Sequence, residues 1–175
     1  MDVAKKHQTA GIDLIGHRVH QMLVAFPLGL LAGATIFDVV GLVRGAGSWS
    51  LISYWLIAAG VVVALIAAIF GAIDWGGIPA GSRAKRVATV HGVNMVIVVV
   101  LFSLSWFARR EPLDSPGALA LTASFTATAL ALFGGWLGAE LVNRMGVGVY
   151  DQANINATSS VARAPHLVEV DAAAQ

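Results

Sequence analysis

The chain has 175 residues, enough for one domain, with 57% hydrophobic and only 12% charged residues, against about 25% charged in ordinary soluble domains. A formal net charge of +1 offers no basic stripe for phosphates and argues against nucleic acid as a partner. Cysteine is absent, which excludes structural disulfides, thiolate metal sites, iron–sulfur clusters and covalent haem attachment.

Residues 1–21 read as an amphipathic arm carrying Asp2, Lys5, Lys6, Asp13 and Arg18. Lys5 and Lys6 imitate the start of a signal peptide, but the apolar run begins only at Met22 and is too long for a signal core. The arm is therefore expected to be retained. It ends in Gly16-His17-Arg18-Val19-His20. On a helix that spacing puts both imidazoles on nearly one face. The first apolar run, 22–43, is interrupted only by Asp38. Gly45 to Ser50 reads as a turn, and the second run, 51–73, holds no charge. Asp74 to Arg83 reads as a Gly/Pro-rich loop. The third run, 87–108, carries His91 and Asn94 near its start. A charged turn over 109–116 leads to the fourth run, 115–142, which closes with Glu140. Residues 143–175 are expected to form a partly disordered tail.

Each run is long enough to cross a bilayer core, which takes roughly 20 residues. Lipid leaves backbone groups no partner but their own segment, so the runs should be helices. The second run lacks the polar outer face of a soluble bundle. Short turns make successive helices antiparallel neighbours, which predicts an all-α, integral membrane, up-down-up-down four-helix bundle in lipid. Lys5, Lys6, Arg18, Arg83, Lys85, Arg86, Arg144 and Arg163 fall on one side, and Arg44, Arg109 and Arg110 on the other. This asymmetry predicts that both termini lie in the cytoplasm. Gly29/Gly33 and Gly134/Gly138, at spacing four, are candidates for close helix approach.

That topology brings polar residues from every helix to one level. His17 and His20 open the first helix, Asp74 closes the second, His91 and Asn94 sit early in the third, and Glu140 closes the fourth. Three imidazoles and two carboxylates (His17, His20, His91, Asp74, Glu140) are suitable donors for a divalent metal. Alternatively, His20 and His91, with His17 as a substitute, would hold a b-type haem from two sides. A proton or small-ion path through the same groups is a third reading. Against these stands the plain one, in which polar groups cap helix ends or pair with Arg83, Arg86 or Arg144. Asp38 lies 18 residues beyond His20, about 27 Å along a helix. An ion pair with Arg44, Arg109 or Arg110 at the opposite surface is its expected role.

Four stretches carry a likeness. They are Gly16-His17-x-x-His20 leading to Met22-Leu23-Val24-x-Phe26-Pro27-x-Gly29-Leu30; Phe37-Asp38; Asp74-Trp75-x-x-Ile78-Pro79 with Gly81-x-Arg83-Ala84, His91 and Asn94; and Gly134-Gly135-x-Leu137-Gly138-x-Glu140-Leu141-Val142 with Gly146-Val147-Gly148-Val149. Their order and spacing resemble a family of bacterial membrane proteins catalogued as domain of unknown function 2231. The resemblance implies a four-helix membrane domain, joined in other members to redox modules, and implies no particular reaction. Gln21 stands where the family usually has proline, Asn143 where tyrosine is commoner, and Met145 where histidine can occur. The expectation is thus a cofactor-binding membrane domain, haem b or divalent metal, serving electron transfer with a redox partner protein or as a homo-oligomer. The alternatives are a non-catalytic structural or accessory subunit and an ion pathway.

Overall fold

A computed structural model describes residues 11–14, 17–109, 113–150 and 153–160. The first ten residues of the arm, Gly16, Arg110 and the tail beyond 160 lie outside the described residues. A two-stranded antiparallel hairpin, β1 (Asp13–Leu14) and β2 (His17–Arg18), leads directly into the helices. These are α1 (Val19–Leu23), α2 (Ala25–Arg44), α3 (Gly47–Gly77), α4 (Arg83–Ala108) and α5 (Ala118–Ala139). A terminal π-helical turn spans Glu140–Arg144. Helices α1 and α2 form one span through Val24, so four helical spans are long and apolar enough to cross a membrane. They form a four-helix bundle in which α2 packs along α3 and α4 along α5, with α3–α4 and α2–α5 contacts completing it.

The helices run further than the apolar runs alone imply. Asp74 to Gly77, expected to open a loop, is the last turn of α3. Trp49 and Ser50, expected in a turn, belong to its first turns. The link between α2 and α3 shrinks to Gly45 and Ala46, with Gly45 at φ +92°. Only glycine enters that region without strain, and this lets so short a link reverse the chain.

The arm also differs from the expected helix. Val19 donates its amide to Ile12 O at 3.0 Å, closing the hairpin, and Arg18 at the helix start keeps an extended backbone. His17 therefore lies on β2 and His20 on α1, and the two imidazoles do not share a helix face.

Apolar packing is inverted relative to a soluble bundle. The central cluster of Leu31, Ala34, Ile57, Val98, Phe102 and Ala127 is built partly from small residues that let the helices approach. Large apolar side chains face outward, with Val43 77% and Leu132 74% exposed, while Arg109 is 0% and Asp38 2% exposed. Apolar outside and charge inside is stable only where the surroundings are lipid.

Candidate functional site

Polar chemistry is concentrated at the two ends of the bundle. At the far end, Arg109 just beyond α4 makes a two-pronged pair with Asp38 of α2. Nη1 lies 2.7 Å from Oδ1 and Nη2 lies 3.0 Å from Oδ2. Nη1 also reaches the Ser53 hydroxyl of α3 at 3.0 Å. Nη2 shares its hydrogens with Ser105 of α4 at 2.8 Å and Ser124 of α5 at 2.9 Å. Those two hydroxyls are 2.8 Å apart, and Ser105 donates to Ala120 O at 2.7 Å. All four spans thus converge on one guanidinium. The expectation of a surface ion pair is corrected here. Arg109 was one of three candidate partners, and the pair is enclosed by the bundle, because any other placement would leave the Asp38 carboxylate facing hydrocarbon.

At the histidine end the side chains meet in pairs. His20 Nδ1 lies 2.9 Å from Ala67 O of α3, and its ring rests on Gly71, where an added Cβ would stand 2.8 Å from Cε1. His91 Nδ1 lies 3.0 Å from Gly134 O of α5, with Gly138 beneath the ring. A carbonyl oxygen can only accept, so in both rings Nδ1 carries the hydrogen and Nε2 is the basic nitrogen. Asn94, one turn on from His91, is buried and donates to Leu130 O at 2.9 Å.

The carboxylates are held by arginines. Arg18, 10% exposed, lies 3.3 Å from Asp13 and 4.0 Å from Asp74. Glu140 receives Arg83 at 2.9 Å and Arg144 at 3.6 Å. Among the described residues no three or more His, Asp or Glu side chains gather as a metal-holding group. The five-residue metal set expected from sequence is therefore not assembled: Glu140 and Asp74 turn to arginines, and His17 lies exposed on β2.

The chain after α5 returns over this end. Gly146, at φ +66°, stops the helix and Val147 donates back to Leu141 O at 2.9 Å. Gln21 donates to Val147 O at 3.4 Å. A proline at position 21 could not make this tie. Tyr150 hydrogen-bonds Asp13, and that acceptor, ahead of slight desolvation and the carboxylate charge, raises the phenol above its ordinary value. Hairpin and returning segment together cover the histidine end.

Several residues essential to this arrangement carry no signal in sequence. Ser53, Ser105 and Ser124 read as ordinary residues of apolar helices, and Gly71 belonged to neither glycine pair singled out from the sequence, although Ala67 four residues before it makes the same small-residue spacing. Of the pairs proposed for close packing, a Cβ at Gly134 would meet Met95 and Asn94, whereas one at Gly29 would meet no other side chain within 4 Å.

A family model described as predicted membrane protein, DUF2231, matches residues 16–151. The chain belongs to the DUF2231 family. The match runs from the hairpin to the segment that covers the histidine end, so the DUF2231 domain includes both polar ends of the bundle. No curated protein and no solved structure matches the chain.

Proposed function

We propose that this DUF2231 chain is a non-catalytic structural or accessory subunit of the bacterial cytoplasmic membrane, with both termini inside. One observation carries this reading. Every carboxylate and imidazole in the four spans is already matched to a group on another element: Asp38 to Arg109, Asp74 to Arg18, Glu140 to Arg83, His20 to Ala67 O and His91 to Gly134 O. Groups so arranged fix helix against helix. The lipid-sized apolar faces remain for the bilayer or for a second subunit.

A second reading rests on the two imidazoles. Ligating histidines characteristically donate their remote N–H to a carbonyl or carboxylate, which fixes the tautomer and leaves the other nitrogen basic. His20 and His91 both have this form. They are the residues that would hold a b-type haem, which supplies one-electron chemistry when bound. A redox partner protein would then be required.

An absorption spectrum and metal analysis separate the two. For protein purified in detergent from cells well supplied with haem and metals, the subunit reading expects no Soret band and no stoichiometric metal. His20→Ala and His91→Ala should each lower stability by about 1 kcal/mol, the net worth of one hydrogen bond. A Soret band that disappears in both variants would overturn the subunit reading and select the haem.

A further inference from the structure

An apolar groove of about 310 Å³ runs down the outer face of the α4–α5 pair, lined by Thr89, Val90, Val93, Asn94, Ile97 and Phe133. Its position relative to the charged rim is set by helical register. Arg83, Arg86, Val90, Val93 and Ile97 follow one another at spacings of three and four, so the two arginines stand at the head of the stripe that lines the groove. On the α5 side, Phe133 and Glu140 are seven residues apart, two turns along the same face, and Arg144 follows one turn later.

The head of the groove is cationic. Arg83 and Arg144 both contact Glu140, and their side chains remain 63% and 76% exposed against 18% for the carboxylate. Exposed Arg86 stands one helical turn from Arg83 on the same helix face, adding a third cation to this end of the stripe. The start of α4 adds the positive end of a 26-residue helix. Lys85 belongs to the neighbouring face, where its Nζ sits 3.4 Å over the Trp75 ring. Half-exposed Trp75 beside a lysine is the arrangement favoured at headgroup depth.

The groove and its cationic head together fit one leaflet. The α4 lining runs from Thr89 to Ile97, and from Arg86 at the head to Ile97 is eleven residues, about 16 Å of helix, or half of a hydrocarbon core about 30 Å thick. Val90, Val93 and Ile97 are 52%, 56% and 45% exposed, so the floor is open to lipid along this length. We propose that the groove is a binding site for an anionic phospholipid, with its phosphate between Arg83, Arg86 and Arg144 and one acyl chain along Val90, Val93, Ile97 and Phe133. A protein helix would need no cationic head, whereas a phosphate at interface depth with a chain directed inward matches both halves of the site. The proposal does not depend on which side of the membrane this end faces.

Native mass spectrometry and thermal melting in a non-ionic detergent provide the test, with phosphatidylglycerol, phosphatidylcholine and chain-free glycerol phosphate as probes. Phosphatidylglycerol should bind saturably and raise the melting temperature, phosphatidylcholine should bind more weakly, and glycerol phosphate should have no effect. Each arginine removed should weaken phosphatidylglycerol binding about five-fold, tested with Arg86→Ala and with Arg83→Ala/Arg86→Ala. Val93→Trp, or Val90→Trp should the first fail to fold, fills the groove without altering charge and should weaken both lipids. Equal binding of the two lipids, full binding retained in the double arginine variant or in the filled groove, or an equal effect of glycerol phosphate would each overturn the proposal.

Discussion

Removing either partner of the Asp38–Arg109 pair is expected to be the most damaging single change in this protein. Arg109→Met leaves a carboxylate enclosed by four helices, and Asp38→Leu leaves a guanidinium there. Breaking a buried pair from one side costs about 3–5 kcal/mol, a large part of the stability of any domain this size. The loss should be greater for Arg109, because its two terminal nitrogens serve Asp38, Ser53, Ser105 and Ser124 together. The double variant Asp38→Leu/Arg109→Met removes both charges and should recover much of the loss, since a paired apolar replacement leaves no uncompensated ion. Melting followed by tryptophan fluorescence in detergent, run as a double-mutant cycle, measures the coupling. Single variants within about 1 kcal/mol of the parent would show that water reaches the pair, which is the value expected for exposed ion pairs.

Gly71→Ala is expected to destabilise, although alanine normally improves a helix over glycine by about 1 kcal/mol. The added Cβ would stand 2.8 Å from Cε1 of His20, 3.1 Å from Nδ1 and 3.3 Å from Nε2. It meets the body of the ring, which is held to Ala67 O, so either the ring or α1 must move. Overpacking of this kind costs typically about 1–3 kcal/mol, enough to reverse the sign of the propensity gain. Gly92→Ala is the control, since nothing lies within 4 Å of a Cβ there; it should be neutral or stabilising. In a His20→Ala background the Gly71→Ala penalty should vanish. A penalty that persists there would place its cause in the packing of α3 itself and not in the seat of His20.

The two expectations differ in how visible their causes are in the sequence. Asp38 stands out as a lone carboxylate in an apolar run, and Arg109 was one of three arginines at the matching end. The serines around them were invisible, because a hydroxyl inside a membrane helix looks the same whether it bonds its own backbone or a guanidinium from another helix. Gly71 was equally silent. A glycine that seats an imidazole and one that faces lipid have identical local signatures, and only the partner ring distinguishes them. His17 and His20 show the opposite failure. Their spacing suggests one helix face, but the hairpin closed by Val19 and Ile12 ends between them.

Sequence alone determined the four spans and the bundle class, because hydrocarbon thickness sets a minimum length and forbids unpaired backbone within it. It also determined that His20, Asp74, His91 and Glu140 come near one end of the bundle, since antiparallel order follows from short links. Tertiary structure alone decided the pairings: Arg109 with Asp38 inside the bundle, Glu140 with Arg83 and Arg144, and each imidazole with a main-chain carbonyl of the neighbouring helix. Which group meets which depends on helix rotation and axial offset. Those are set by small residues packing against one another over the whole length of the helices, a sum of many weak contacts that no single motif encodes.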